Sequence, residues 1–135
     1  MRVSVIIPVY NEESTIKKVL DTLLEQVNGL FEVIIVDDGS LDSTGKICID
    51  FRSKNEMIHY LGLLKNKGKT QAVKEGIKYS TGEIVIIQDA DLEYDPSEIN
   101  SVVDPIRIGV AVVVFGSRFL VRKASRALYF LALFS

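Results

Sequence analysis

An α/β fold, with a mostly parallel sheet flanked by helices on both faces, follows from three features of the sequence. Short β-branched runs alternate with stretches of helical periodicity along the whole chain. Turn residues such as Asn28-Gly29 and Asp38-Gly39 separate them. Polar and acidic residues gather just after the apolar runs, not within them. Such alternation argues for βαβ units joined by right-handed crossovers.

The elements are read in order. Val3–Pro8 is a β-branched run ended by proline, hence a first strand. Asn11 is the expected cap of the next helix, with Glu12 and Glu13 in its first turn against the positive dipole end. Ile16, Val19, Leu20, Leu23, Leu24 and Val27 give that helix one apolar face, and Asn28-Gly29 ends it. Phe31–Val36 is the second strand, followed by the turn Asp37-Asp38-Gly39-Ser40. Asp42 or Ser43 caps a helix reaching about Ser53. Met57–Leu64 is a third strand, and Asn66-Lys67-Gly68-Lys69 a loop in which Lys69 is read as a solvated lysine. A helix over Thr70–Tyr79 buries Ala72, Val73, Gly76 and Ile77. Asp95-Pro96-Ser97-Glu98 starts a further helix with an acidic cap, proline at its first position and glutamate at its third. Its buried face is Ile99, Val102, Val103 and Ile106, and Val110–Phe115 is the last strand.

A chain of 135 residues predicts one domain with a substantial core. Hydrophobic content of 47% and charged content of 25% are ordinary globular values. A net charge of −2 gives no overall drive towards nucleic acid, so no nucleic-acid partner is expected. Cys48 is the single cysteine, which rules out an internal disulfide and a cysteine-built zinc site, and it reads as a small core residue. Strand-like residues follow Met1 and Arg2 directly, so no signal peptide is expected and a cytoplasmic location follows by default.

Glu83–Asp95 is the most informative stretch. Ile84–Ile87 is a continuous apolar run that suits a strand buried on both faces. Asp89, Asp91, Glu93 and Asp95 then occupy every second position. Carboxylates so close repel one another, and a hard divalent cation, Mg2+ or Mn2+, relieves that repulsion. Open α/β sheets bind ligands at the carboxyl ends of their strands. Three such ends carry polar groups: Pro8-Val9-Tyr10-Asn11-Glu12, Asp37-Asp38-Gly39-Ser40 and Asp89-Ala90-Asp91. Tyr10 can stack on a base, and Glu12 and Asp37 can accept hydrogen bonds from a base or ribose. The glycine patterns of dinucleotide and P-loop sites are missing from the sequence. A metal between acids and a diphosphate is the remaining simple way to hold a nucleotide.

The segments V-S-V-I-I-P-V-Y-N-E-E, E-V-I-I-V-D-D-G-S-L-D-S-T, N-K-G-K-T-Q-A-V-K-E-G, T-G-E-I-V-I-I-Q-D-A-D-L-E-Y-D-P and V-V-F-G-S-R-F occur in one order through Leu120. Together they resemble the N-terminal part of a family-2 glycosyltransferase of the GT-A fold. The polyprenyl-phosphate branch, typified by the dolichyl-phosphate mannosyltransferases, is the most similar. The resemblance implies a GT-A-type, Rossmann-like sheet over residues 1–120, with residues 121–135 beginning an acceptor or membrane-associated part. It implies nucleotide-sugar contacts from Pro8, Tyr10, Glu12, Asp37, Asp89, Ala90, Asp91 and Arg118. It implies metal contacts from Asp89, Asp91 and Glu93, and catalytic roles for Asp91 and Arg118. The implied reaction is metal-dependent, inverting transfer of a hexosyl group, mannose or glucose, from a GDP- or UDP-sugar to a polyprenyl phosphate. The alternatives are a nucleotide-sugar-binding module without turnover and a nucleotidyltransferase of related fold. Val112 departs from the family, which often has an acidic residue there.

The tail pairs Arg118, Arg122, Lys123 and Arg126 with the apolar run Ala127–Phe134. That run is too short to span a bilayer, which takes about 20 apolar residues. Contact with the cytoplasmic face of a membrane, or self-association into a homo-oligomer, is the expectation for it.

Overall fold

The computed structural model describes residues 2–91 and 99–107. The elements run β1 (Val3–Val9), α1 (Ile16–Gln26), β2 (Leu30–Asp37), α2 (Thr44–Lys54), β3 (Ile58–Gly62), α3 (Lys69–Tyr79), β4 (Ile84–Ile87) and α4 (Ile99–Arg107). The sheet order is β3-β2-β1-β4, and every pairing is parallel. The strand expected over Val110–Phe115, the capping sequence Asp95–Glu98 and the basic and apolar tail lie outside the described residues.

Period-two alternation along the strands divides the core into two layers. Val3, Val5, Ile7 and Val9 of β1 point to the same side as Val33, Ile35, Ile58, Ile84 and Ile86. They pack there with Ile16, Val19, Leu20 and Leu23 of α1, Cys48 of α2, and Ile99 and Val103 of α4. Ile6, Ile34 and Val36 point the other way and meet Ala72 of α3. Helices therefore cover both faces, as the alternating sequence pattern requires. Gly76 lets α3 sit close, because a Cβ there would lie 2.5 Å from Ile6 Cγ2 and 3.2 Å from Val36 Cγ2.

Two expectations are corrected. Asn11 does not cap α1, and Glu12 and Glu13 are not in its first turn, which holds no acidic residue. The chain instead turns at Asn11, whose φ of +52° is a conformation asparagine tolerates better than most residues. α1 starts only at Ile16, after Thr15 and Ile16 have donated to the Glu12 carbonyl. Among the described residues β4 is an edge strand, and its apolar run is buried on one face only, through Ile84 and Ile86. On the other face Val85 and Ile87 are partly buried against Ile6, Ile34, Val36 and Ala72. Among the described strands β1 and β2 are the enclosed ones, with Val33–Asp37 of β2 buried throughout.

Among the described residues no helix is long and apolar enough to cross a membrane.

Candidate functional site

β1 and β2 pair in register to their ends, Pro8 opposite Val36 and Val9 opposite Asp37. Tyr10, Glu12 and Asp37 therefore leave neighbouring strands at one edge of the sheet. Proline is tolerable inside β1 for a local reason. The Ile6 carbonyl accepts from Gln88 on the β4 side, so Pro8, two residues on, also turns its missing N–H that way. β4 has already ended there, since its last register pair is Ile87 with Ile6.

Side chains lace the loops after β1 and β2 together. The Asn11 N–H donates to Ser40 Oγ (2.9 Å), and Asn11 Oδ1 accepts from the Leu41 N–H (2.9 Å). The Glu12 N–H donates to Oγ1 of the buried Thr44 (2.8 Å). Ser43 holds the cap position of α2 with no side-chain capping bond, and Asp42, one residue earlier, accepts from the Thr44 N–H through Oδ1 (2.9 Å). Asp37 is only 4% exposed. Its Oδ1 accepts from the Ser40 N–H (2.9 Å) and its Oδ2 from the Tyr60 hydroxyl (2.6 Å). Tyr10 presents its ring to solvent at this edge.

The end of β4 comes to the same place. The Thr15 hydroxyl donates to the Ala90 carbonyl, with Glu12 Oε2 3.2 Å away. Glu12 thus stands between the β1–β2 loops and the Asp89-Ala90-Asp91 triplet. Asp91 is exposed, Ala90 is buried, and the Asp89 side chain is 23% exposed.

Lys69 corrects another expectation. Its side chain is half in solvent, as expected, but it stands at the start of a helix instead of in a loop, and its Nζ pairs with Asp89 Oδ1. Asp38 brings it there. Asp38 Oδ1 accepts from the Lys67 N–H (2.7 Å), and Oδ2 accepts from the Gly68 N–H (2.9 Å). Gly39 allows the loop to lie against this turn, since a Cβ there would sit 2.8 Å from the Asn66 nitrogen. The loop so held delivers Lys69 as the first residue of α3. A cation is unfavourable at a helix N-terminus, and the Asp89 carboxylate offsets that cost.

Sequence reasoning singled out neither Tyr60, Thr44 nor Thr15 for this edge. All are read as ordinary strand and helix residues, and only the pairing of distant segments gives them partners here. Burial first, and then the hydrogen bond to Asp37, pushes the Tyr60 phenol well above its ordinary value. Burial, reinforced by the charges of Asp37 and Asp42, raises the Cys48 thiol to about 12, which agrees with an inert core cysteine.

Among the described residues no group of three or more histidine, cysteine or acidic side chains is arranged to hold a metal. Asp89 and Asp91 supply carboxylate oxygens of the hard type that Mg2+ and Mn2+ prefer. Asp89 already faces one cation, Lys69. The pair fits a cation whose remaining ligands come from a bound diphosphate or from further residues. Glu93 and Arg118, both singled out from the sequence, lie outside the described residues. Pro8, Tyr10, Glu12, Asp37, Asp89, Ala90 and Asp91 all share the one edge.

The dolichol-phosphate mannosyltransferase of Pyrococcus furiosus is 33% identical over 121 residues, 89% of this chain and 34% of its own length. An uncharacterized glycosyltransferase of Synechocystis sp. is 40% identical over 116 residues, 84% of this chain and 36% of its own. The chain thus spans about a third of the length of these curated relatives. The solved mannosyltransferase PcManGT from Pyrobaculum calidifontis, in complex with GDP-Man and Mn2+, matches with a TM-score of 0.62 at 35% identity. That match covers 67% of this chain and 27% of the other. Residues 4–130 match glycosyl transferase family 2, and the chain belongs to that family.

Proposed function

We propose that this chain is the donor-binding part of a metal-dependent, inverting hexosyltransferase that acts on a polyprenyl phosphate. One observation carries the reading. The nucleoside-type groups Tyr10, Glu12 and Asp37 and the acidic pair Asp89 and Asp91 meet at one sheet edge, joined by the Thr15–Ala90 contact. That arrangement offers partners to both the nucleoside and the phosphates of a nucleoside diphosphate. The Pyrococcus relative is named for transfer of mannose to dolichol phosphate, and the Pyrobaculum structure holds GDP-Man and Mn2+, which supports the same direction.

In this reading the Asp37 carboxylate accepts N–H donors of the base. Tyr10 offers its exposed ring for stacking, and Glu12 accepts from the ribose. Asp89 and Asp91, with Glu93, would hold Mg2+ or Mn2+. The bound cation supplies charge stabilisation for the departing nucleoside diphosphate. On binding, Lys69 would exchange Asp89 for phosphate oxygens, which frees that carboxylate for the cation. An acceptor phosphate is anionic at neutral pH, so it needs orientation and charge neutralisation more than a general base. Arg118 is the residue assigned to that task.

Calorimetry of the chain with UDP, GDP and their mannose and glucose conjugates, with and without Mn2+, tests the reading. Binding of one nucleotide family that depends on the metal is expected. Absence of binding to every nucleotide with metal present would refute it. A transfer assay with a polyprenyl phosphate then tests the acceptor.

A further inference from the structure

Tyr60 belongs to β3 and stands opposite Ile35 of β2. Asp37 lies two residues beyond Ile35, so it shares that face of the sheet. The phenol reaches diagonally along the sheet, and its hydroxyl donates to Asp37 Oδ2 at 2.6 Å. With Oδ1 held by the Ser40 N–H, both carboxylate oxygens are tied and the plane of the group is fixed. An ionised carboxylate has about four acceptor sites, so lone pairs remain for a ligand.

The space for this contact comes from glycines on two different elements. A Cβ at Gly45, in the first turn of α2, would lie 2.9 Å from the Tyr60 hydroxyl oxygen and 3.4 Å from Asp37 Oδ2. A Cβ at Gly62, at the end of β3, would lie 3.3 Å from Tyr60 Cε2. Packing alone does not require the hydroxyl, since the ring sits at the margin of the α1–α2 core and phenylalanine would fill the same volume. The upward shift of its pKa keeps the phenol a donor throughout the neutral and mildly alkaline range.

We propose that Tyr60 is a positioning residue for nucleobase recognition, holding Asp37 Oδ2 so that the carboxylate meets the N–H donors of a base in one orientation. The inference rests on the nucleotide-sugar reading above. It adds a specificity determinant on β3, a strand that contributes no other group to that reading. Removing the hydroxyl lets the carboxylate turn and hydrate, so the base end of the ligand loses affinity while the phosphate end does not.

The test is calorimetry of the 135-residue chain and of its Tyr60→Phe variant in Mn2+, with UDP, GDP and inorganic pyrophosphate. The variant should bind the preferred nucleotide about tenfold more weakly, with pyrophosphate affinity kept within about twofold. On an Asp37→Ala background, Tyr60→Phe should cause no further loss. Should Tyr60→Phe not fold, Gly45→Ala displaces the phenol from Asp37 while keeping the hydroxyl, and the same split is expected. Equal nucleotide affinity in parent and variant would overturn the proposal, and so would equal losses for nucleotide and pyrophosphate. A parent that binds neither nucleotide would overturn the nucleotide-sugar reading and the proposal with it, an outcome distinct from the other two.

Discussion

Glu32 and Asp37 belong to the same strand, each is 4% exposed, and each is hydrogen-bonded, but they belong to opposite poles of the sheet. Glu32 lies near the start of β2 and is enclosed by its own chain. Its Oε1 accepts from Ser4 Oγ (2.8 Å), the Thr81 N–H (2.6 Å) and Thr81 Oγ1 (3.0 Å). His59 Nε2 lies 3.6 Å from Oε2, and Ser4 Oγ in turn accepts from the Gly82 N–H (2.8 Å). The knot ties β1, β2 and β3 to the turn that enters β4. At the other pole, Asp37, Asp38 and Asp89 are held by loops, a phenol and a lysine side chain that is 51% exposed. A buried charge surrounded by backbone and short hydroxyls is a structural device. A charge whose counter-ion is half in water can exchange that partner for a ligand. The difference sets a structural carboxylate at one pole against an exchangeable ion pair at the other, and substitutions at the two poles should therefore have separable effects.

The largest expected effect is on binding. Asp91→Ala removes an exposed carboxylate beside the site, so metal-dependent nucleotide affinity should fall by about a hundredfold or more. The melting temperature should stay within about 2 °C of the parent. Glu32→Ala is the reverse experiment. It leaves the Ser4 and Thr81 donors without their buried acceptor, and a loss of about 2–4 kcal/mol in unfolding free energy is expected. Nucleotide affinity of the remaining folded protein should be unchanged. A Glu32→Ala chain of full stability but impaired binding would break the division between the poles.

Acid sensitivity sharpens the same comparison. Burial opposes the Glu32 charge, but the Thr81 N–H, the Ser4 and Thr81 hydroxyls and His59 together hold its carboxyl below the ordinary value of 4.5. The folded state therefore binds a proton less readily than the unfolded chain. This contribution is fully present above the unfolded value and is lost as the pH falls through the lower folded one. Denaturant unfolding followed from pH 7 to pH 3 should show that loss in the parent. Glu32→Gln should flatten the acid limb, and identical limbs would show that other carboxylates govern it.

The contrast between the poles also explains what the sequence disclosed. The β-branched runs and the helical period of α1 depend on near neighbours, so the fold was legible. The acidic alternation after β4 was legible for the same reason. Asn-Glu-Glu before an apolar stretch looks like a cap, while the actual partners of Asn11, Ser40 and Leu41, lie on another loop. Glu32, between Phe31 and Val33, looks like an outward-facing strand charge until Ser4 and Thr81 are brought beside it. Tyr60 depends on the register of β3 against β2, which no local pattern sets. Asn11, Glu32 and Tyr60 share one property: their partners are distant in sequence.

Lys69 gives the smallest and most diagnostic effect. Its side chain is 51% exposed and that of Asp89 is 23% exposed, so solvent screens the pair and its net stabilising effect is about 1 kcal/mol or less. Lys69→Met should accordingly leave the melting temperature nearly unchanged. The lysine nonetheless places a full positive charge against one of the carboxylates assigned to the cation. In the absence of nucleotide that charge repels Mn2+ and occupies an acceptor oxygen. Lys69→Met should therefore tighten binding of Mn2+ alone by about threefold to tenfold, or ~0.6–1.4 kcal/mol. With nucleotide present the sign should reverse, because the ammonium is then available to the diphosphate and its loss removes a favourable charge. Calorimetric titrations of Mn2+ with and without the preferred nucleotide measure both arms. Unchanged Mn2+ affinity in the free variant would show that lysine and cation do not share Asp89, and the exchangeable counter-ion that distinguishes this pole from the Glu32 knot would be lost.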